Sequence, residues 1–105
     1  MQNISPKELK SLLDQNEKQC IILDVREKEE LQIAQIGGIH IPLGELSTRF
    51  QELDSNAWIV TLCHHGMRSA MAAGFLREQG FSKVTNLSGG IERWSAEVDP
   101  KIPRY

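Results

Sequence analysis

Two spacings of apolar residues alternate along the chain. Cys20-Ile21-Ile22-Leu23-Asp24-Val25 and Trp58-Ile59-Val60-Thr61-Leu62 are short, nearly continuous apolar runs, the pattern of strands buried on both faces. Elsewhere apolar residues return every three or four positions, the spacing of a helix with one buried face. Ser5-Pro6-Lys7-Glu8 opens the first such segment. Its capping serine, proline at the first helical position and glutamate three residues after the cap together satisfy free backbone N–H groups, and Leu9, Leu12 and Leu13 then share a face. Glu27 to Ile33 is charged and fits a short helix. Gly37-Gly38 breaks the chain before Ile39-His40-Ile41-Pro42, a brief strand closed by proline. Leu43, Leu46, Phe50 and Leu53 recur at helical spacing before the second buried run, which ends at Cys63. After a tight loop, Met67, Met71, Phe75 and Leu76 are expected to form one helix face, ended by Gly80 in a left-handed conformation. Val84 to Leu87 gives a last strand, Gly89-Gly90 a turn, and Ile91, Trp94 and Val98 a final apolar stripe.

Strand and helix therefore alternate from end to end, with strands too apolar to face water. That order predicts an α/β fold: right-handed crossovers that place helices on both faces of a mostly parallel sheet. At 105 residues the chain suits one hydrophobic core, and residues 1–105 are expected to form a single domain without internal repeat or linker.

Composition narrows the function classes. Fourteen acidic against twelve basic residues give a formal net charge of −2, and the Lys and Arg are scattered, which argues against nucleic acid as a partner. No apolar run approaches the eighteen or so residues of a membrane helix, and residues 1–11 lack the basic start and apolar stretch of a secretory signal. A cytoplasmic protein with no membrane partner is expected. The two cysteines, Cys20 and Cys63, bound different apolar runs and read as separate thiols.

Cys63 carries the chemistry. In an open α/β sheet ligands bind beyond the carboxyl ends of strands, where loops meet helix N-termini whose free N–H groups attract anions, and Cys63 ends such a strand. A thiol is a nucleophile only as thiolate, a form favoured beside a helix N-terminus or a cation. Arg68 opens the following helix, and Gly66 lets the loop His64-His65-Gly66-Met67 curl so that successive N–H groups point inward as an anion nest. The bland reading, an inert strand-end thiol, does not account for the glycine, arginine and helix start that follow. Cys20 stands at the amino end of its strand, away from that site, and reads as structural. The adjacent histidines do not make a metal site with Cys63, since neighbouring loop residues rarely converge on one ion and no zinc spacing is present.

The motifs Leu23-Asp24-Val25-Arg26, the Gly-Gly stretch ending in Ile41-Pro42, Cys63-His64-His65-Gly66-Met67-Arg68-Ser69 and Asn86-Leu87-Ser88-Gly89-Gly90-Ile91-Glu92-Arg93-Trp94 occur in the order seen in the rhodanese family. They resemble it across nearly the whole chain. The resemblance implies a three-layer fold on a five-stranded sheet and sulfurtransferase activity. Sulfane sulfur would pass from a donor such as thiosulfate or a persulfide to a thiophilic acceptor through a covalent Cys63 persulfide, without a further cofactor. Carried over residue by residue, Cys63 matches the sulfur-carrying cysteine, His64 to Ser69 the amide-lined loop, and Arg68 a position that holds an anionic donor. Asp24 and Arg26 match an Asp-x-Arg motif read as architectural, and Gly89-Gly90 with Trp94 reads as packing. One departure stands out: Ala34-Gln35-Ile36 replaces the family's Gly-His-Ile, and the stretch is one residue short. The segment Asp99 to Tyr105 resembles the ends of rhodanese domains fused to enzymes that activate ubiquitin-like sulfur carriers, which adds a protein sulfur acceptor and a sulfur-carrier or binding role as the alternative.

Cell-cycle-type phosphatases are a second rival, because they also use a loop cysteine with an arginine. Their loop holds five residues between the two, whereas four lie here, His64 to Met67, a smaller cradle that suits sulfur better than phosphate. A leaving-group acid is also missing from the sequence reading, Glu29 and Glu30 being too far along the chain to place.

Overall fold

The computed structural model describes residues 3–15 and 20–105. Five strands, β1 (Asn3–Ile4), β2 (Ile21–Asp24), β3 (Ile39–His40), β4 (Trp58–Leu62) and β5 (Lys83–Leu87), form one sheet in the order β1-β5-β4-β2-β3. Every pairing among the described residues is parallel, so the sheet is wholly rather than mostly parallel. The helices are α1 (Pro6–Leu13), α2 (Lys28–Ile33), α3 (Leu46–Arg49), α4 (Met67–Glu78) and α5 (Gly90–Glu97).

The central strands divide their side chains between two cores. Ile59 and Cys63 at β4 and Leu23 and Val25 at β2 face one side, where Leu46, Ala72, Ala73 and Leu76 from α3 and α4 cover them. Val60, Leu62 and Ile22 face the other, under Leu9 from α1 and Ile91 and Trp94 from α5. This two-sided burial is why β2 and β4 read as continuous apolar runs.

The capping box at Ser5 forms as the sequence requires: the Glu8 N–H donates to Ser5 Oγ at 3.2 Å and the Ser5 N–H to Glu8 Oε1 at 3.0 Å. At the far end of α4, Gly80 has φ +97° and the Phe81 N–H closes back onto the Leu76 carbonyl, the expected left-handed stop.

Three expectations are corrected. Of the α4 stripe, Leu76 is buried and Phe75 packs against the core, but Met67 is 80% and Met71 66% exposed, and Ser69, Ala72 and Ala73 complete the buried face. The buried face carries mostly small side chains, and Met67 and Met71 fall on the opposite side of the helix. The stretch from Leu43 to Leu53 is not one helix but α3 between two 3₁₀ turns, Leu43–Glu45 and Phe50–Glu52, although Leu46 and Leu53 are buried as spaced. Of the α1 leucines, Leu9 is fully buried while Leu13 is 41% exposed, because α1 stops at Leu13. Strand β1, two residues long, was not legible; a pair so short has no period to show.

Candidate functional site

The ends of β2, β4 and β5 bring the motifs together. Directly after β4, Cys63 is buried, and the chain turns back through Gly66, whose φ of +111° belongs to the left-handed region. That turn aims the Gly66 N–H at Cys63 Sγ, 3.1 Å away. The Ser69 hydroxyl, one turn into α4, lies 3.2 Å from the same sulfur, 3.2 Å from the Gly66 carbonyl and 2.5 Å from Asn86 Oδ1. One hydroxyl proton serves three acceptors, so Ser69 can turn its donor toward the sulfur when negative charge develops there. Asn86, at the end of β5, is held in turn by bonds from its Nδ2 to Asn3 Oδ1 and the Gly66 carbonyl, each 3.3 Å.

The loop is locked from the α5 side. The N–H groups of Ile91 and Glu92 donate to the carbonyls of Cys63 and His64 at 2.9 and 3.1 Å. Gly90, at φ +61°, packs so tightly there that a Cβ would overlap both carbonyl oxygens. The Gly89-Gly90 turn is thus packing, and what it packs is the cysteine loop.

Arg68 does not stand free beside the sulfur. Its guanidinium is engaged by Glu30 through two bonds, Nη1 to Oε2 at 2.7 Å and Nη2 to Oε1 at 2.9 Å, a bidentate pairing. The cation that the resemblance assigns to an anionic donor is thus already paired with a carboxylate from α2. Glu30 also accepts the Glu27 N–H at 2.9 Å and the Tyr105 hydroxyl at 2.8 Å. The Arg68 guanidinium, against the opposing cost of burial, and these donors hold the carboxyl well down, at about 2, and Glu30 correspondingly raises Arg68.

Behind this pair lies a buried one. Asp24 and Arg26 are both buried, with Arg26 Nε and Nη2 on the Asp24 carboxylate at 2.9 and 2.7 Å. Nη2 also donates to the Ala34 carbonyl at 2.8 Å, and Nη1 to the Tyr105 hydroxyl at 2.8 Å. The architectural reading of Asp24 and Arg26 fits these contacts. In the shortened Ala34-Gln35-Ile36 segment, Ala34 is buried and serves as an anchor for Arg26. His40 contacts the Arg26 carbonyl through Nε2 at 2.6 Å, placing it at the strand end and off the cysteine.

The loop histidines stack. The His64 ring lies 3.9 Å from that of His65 and 3.9 Å from that of Tyr105, the latter nearly parallel at 9°. Burial, then the neighbouring His65, lowers the His64 pKa. Its Nε2 is buried without a partner among the described residues. Met67 projects into solvent at the helix start. Cys20 is a free thiol packed against the α1 and α5 core, the face opposite Cys63, and burial raises its pKa. Among the described residues no group of three His, Cys, Asp or Glu side chains is placed to hold a metal ion.

Three residues at the site were missed. Asn86 could have been flagged as an amide in a buried strand. Glu30 sits one turn into α2, and Tyr105 returns across 75 residues to meet it; no local pattern encodes either contact.

The profile of the rhodanese-like domain matches residues 5–97. The chain is 44% identical to the putative sulfur carrier protein YrkF of Bacillus subtilis over 91% of its own length and 52% of that protein, so it spans about half of that relative. It is 35% identical to the putative sulfurtransferase YtwF of the same organism, covering 96% of this chain and 97% of that one. The crystal structure of a rhodanese-related protein from Thermoplasma volcanium superposes with a TM-score of 0.86 at 31% identity, covering 100% of both chains.

Proposed function

The chain belongs to the rhodanese-like sulfurtransferase family, and on that footing we propose that Cys63 carries sulfane sulfur as a persulfide between a donor and a thiophilic acceptor. The observation that supports this most is the convergence of two donors, the Gly66 N–H and the Ser69 hydroxyl, on Cys63 Sγ at the end of β4. The Gly66 N–H is fixed toward the sulfur and the Ser69 hydroxyl needs only to rotate toward it, so both can stabilise the sulfur as an anion.

In the first half-reaction the Cys63 thiolate attacks the outer sulfur of the donor. With thiosulfate, the new bond is Cys63 Sγ to sulfur, the donor's S–S bond breaks, and its electron pair leaves on sulfite. In the second, an acceptor nucleophile attacks the outer sulfur of the persulfide, and the Sγ–S electron pair returns to Cys63 as thiolate. No net oxidation occurs and no cofactor is needed.

Because Glu30 neutralises Arg68, the site rim carries little net positive charge. A persulfide donor therefore suits it at least as well as dianionic thiosulfate. The likeness to a protein named a putative sulfur carrier supports a protein acceptor. The test is sulfur transfer to cyanide from thiosulfate and from a persulfide donor: turnover with at least one, abolished in Cys63→Ser, is expected, and absence of turnover with both contradicts the proposal.

A further inference from the structure

Two halves of the cysteine loop are held from outside by the same side chain. The Tyr105 ring covers His64, which follows Cys63 directly, and His64 in turn stacks on His65. The Tyr105 hydroxyl accepts from Arg26 Nη1 and donates to Glu30 Oε1, both at 2.8 Å, and Glu30 grips Arg68 at the other end of the loop. A continuous chain of hydrogen bonds thus runs Asp24, Arg26, Tyr105, Glu30, Arg68, from the end of β2 to the first turn of α4.

Tyr105 is itself seated. Its ring packs against the α1 and α5 core, and the segment leading to it is pinned where Ser95 Oγ donates to the Ile102 carbonyl and Arg104 pairs with Glu92. Burial raises its phenol above the usual tyrosine value, and its O–H donates the hydrogen bond that Glu30 accepts. Both functions of the side chain, a flat apolar face and a polar tip, are engaged.

From these contacts we infer that Tyr105 is a positioning residue for sulfur transfer, its ring fixing the start of the Cys63 loop and its hydroxyl fixing Arg68 through Glu30. The inference rests on the sulfur-transfer reading, but the loop geometry can be tested without it. Tyr105→Phe keeps the ring and removes the hydroxyl; Tyr105→Ala removes both.

For Tyr105→Phe, the His64 ring proton resonances and the rate of Cys63 alkylation by iodoacetamide should match those of the unsubstituted protein. KM for thiosulfate should rise about two- to tenfold, as the chain loses the two hydrogen bonds that the hydroxyl makes and Arg68 is held less firmly, with the saturated rate held. For Tyr105→Ala, the His64 resonances should shift downfield as the stacked ring current is lost. The alkylation rate should change with them, and both KM and the saturated rate should suffer. Tyr105→Leu replaces Tyr105→Ala if the latter does not fold. Wild-type kinetics in both variants would overturn the inference. So would equal losses in both with unmoved His64 resonances, which would make Tyr105 packing alone. If the unsubstituted protein takes sulfur from no donor, the sulfur-transfer reading fails, while resonance shifts and alkylation still decide the role of Tyr105 in holding the loop.

Discussion

At the scale of single residues, the roles of Arg68 and Glu30 are bound together. A charge-assisted hydrogen bond to an anionic donor is worth roughly 1.5–3 kcal/mol, so Arg68→Ala should lower kcat/KM for thiosulfate on the order of ten- to a hundredfold. It also strands the Glu30 carboxylate at the rim, which adds repulsion to the lost attraction. The double variant Arg68→Ala/Glu30→Gln should therefore lose less than Arg68→Ala alone, and a neutral donor should respond less to either. Steady-state kinetics with both donors checks this; equal losses for the two donors would make Arg68 purely structural. The arginine was legible as part of the loop because it lies five residues from the cysteine. Its partner was not, since Glu30 lies 38 residues away and its own neighbourhood reads only as a charged short helix.

Glu30 also sets a pH dependence. Its pKa falls from the ordinary 4.5 to about 2 on folding, so its contribution to stability is fully present above pH 4.5 and is lost as pH falls toward about 2. Denaturant titrations across that window should show stability declining with acid, with a shallower decline in Glu30→Gln. Identical slopes would mean that the pairing contributes nothing to folding.

At the scale of elements, α4 shows where sequence pattern and packing part. By spacing and apolarity Met67 and Met71 belong to a core face, yet both are exposed. The helix instead buries Ser69, Ala72 and Ala73, whose small size permits close approach and whose weak hydrophobicity leaves no stripe to read. Ala73→Leu should then force the helix off the sheet and cost about 1–3 kcal/mol, while Met67→Ala should stay within about 0.5 kcal/mol. Thermal or urea unfolding separates the two; a destabilising Met67→Ala with a tolerated Ala73→Leu would reverse the assignment of faces. By contrast β2 and β4 were legible in full, because burial on both sides leaves an unbroken apolar run, and the Ser5 cap was legible because its chemistry is local.

Across the whole molecule, one buried ion pair joins the end of β2 to the site. Asp24 and Arg26 close the end of β2 and connect it to Ala34, to Tyr105 and, through them, to the cysteine loop. Arg26→Met leaves the Asp24 carboxylate buried without its cation, and removal of one partner of such a pair typically costs about 3–5 kcal/mol. Unfolding of that variant should show this loss; stability within about 1 kcal/mol of the unsubstituted protein would mean that water reaches Asp24. The motif order revealed the family and the strand-end cysteine because those are properties of consecutive residues. The closure over the loop by Tyr105 was not visible, since it exists only once the chain has folded back on itself.

The central claim is that one cysteine of the two holds the transferred sulfur, and intact mass followed by peptide mapping after exposure to thiosulfate or a persulfide donor tests it most directly. The expected result is a gain of one sulfur atom on the peptide containing Cys63, removable by cyanide, retained in Cys20→Ser and absent in Cys63→Ser. Sulfur mapped to Cys20, or undiminished loading of Cys63→Ser, would contradict it.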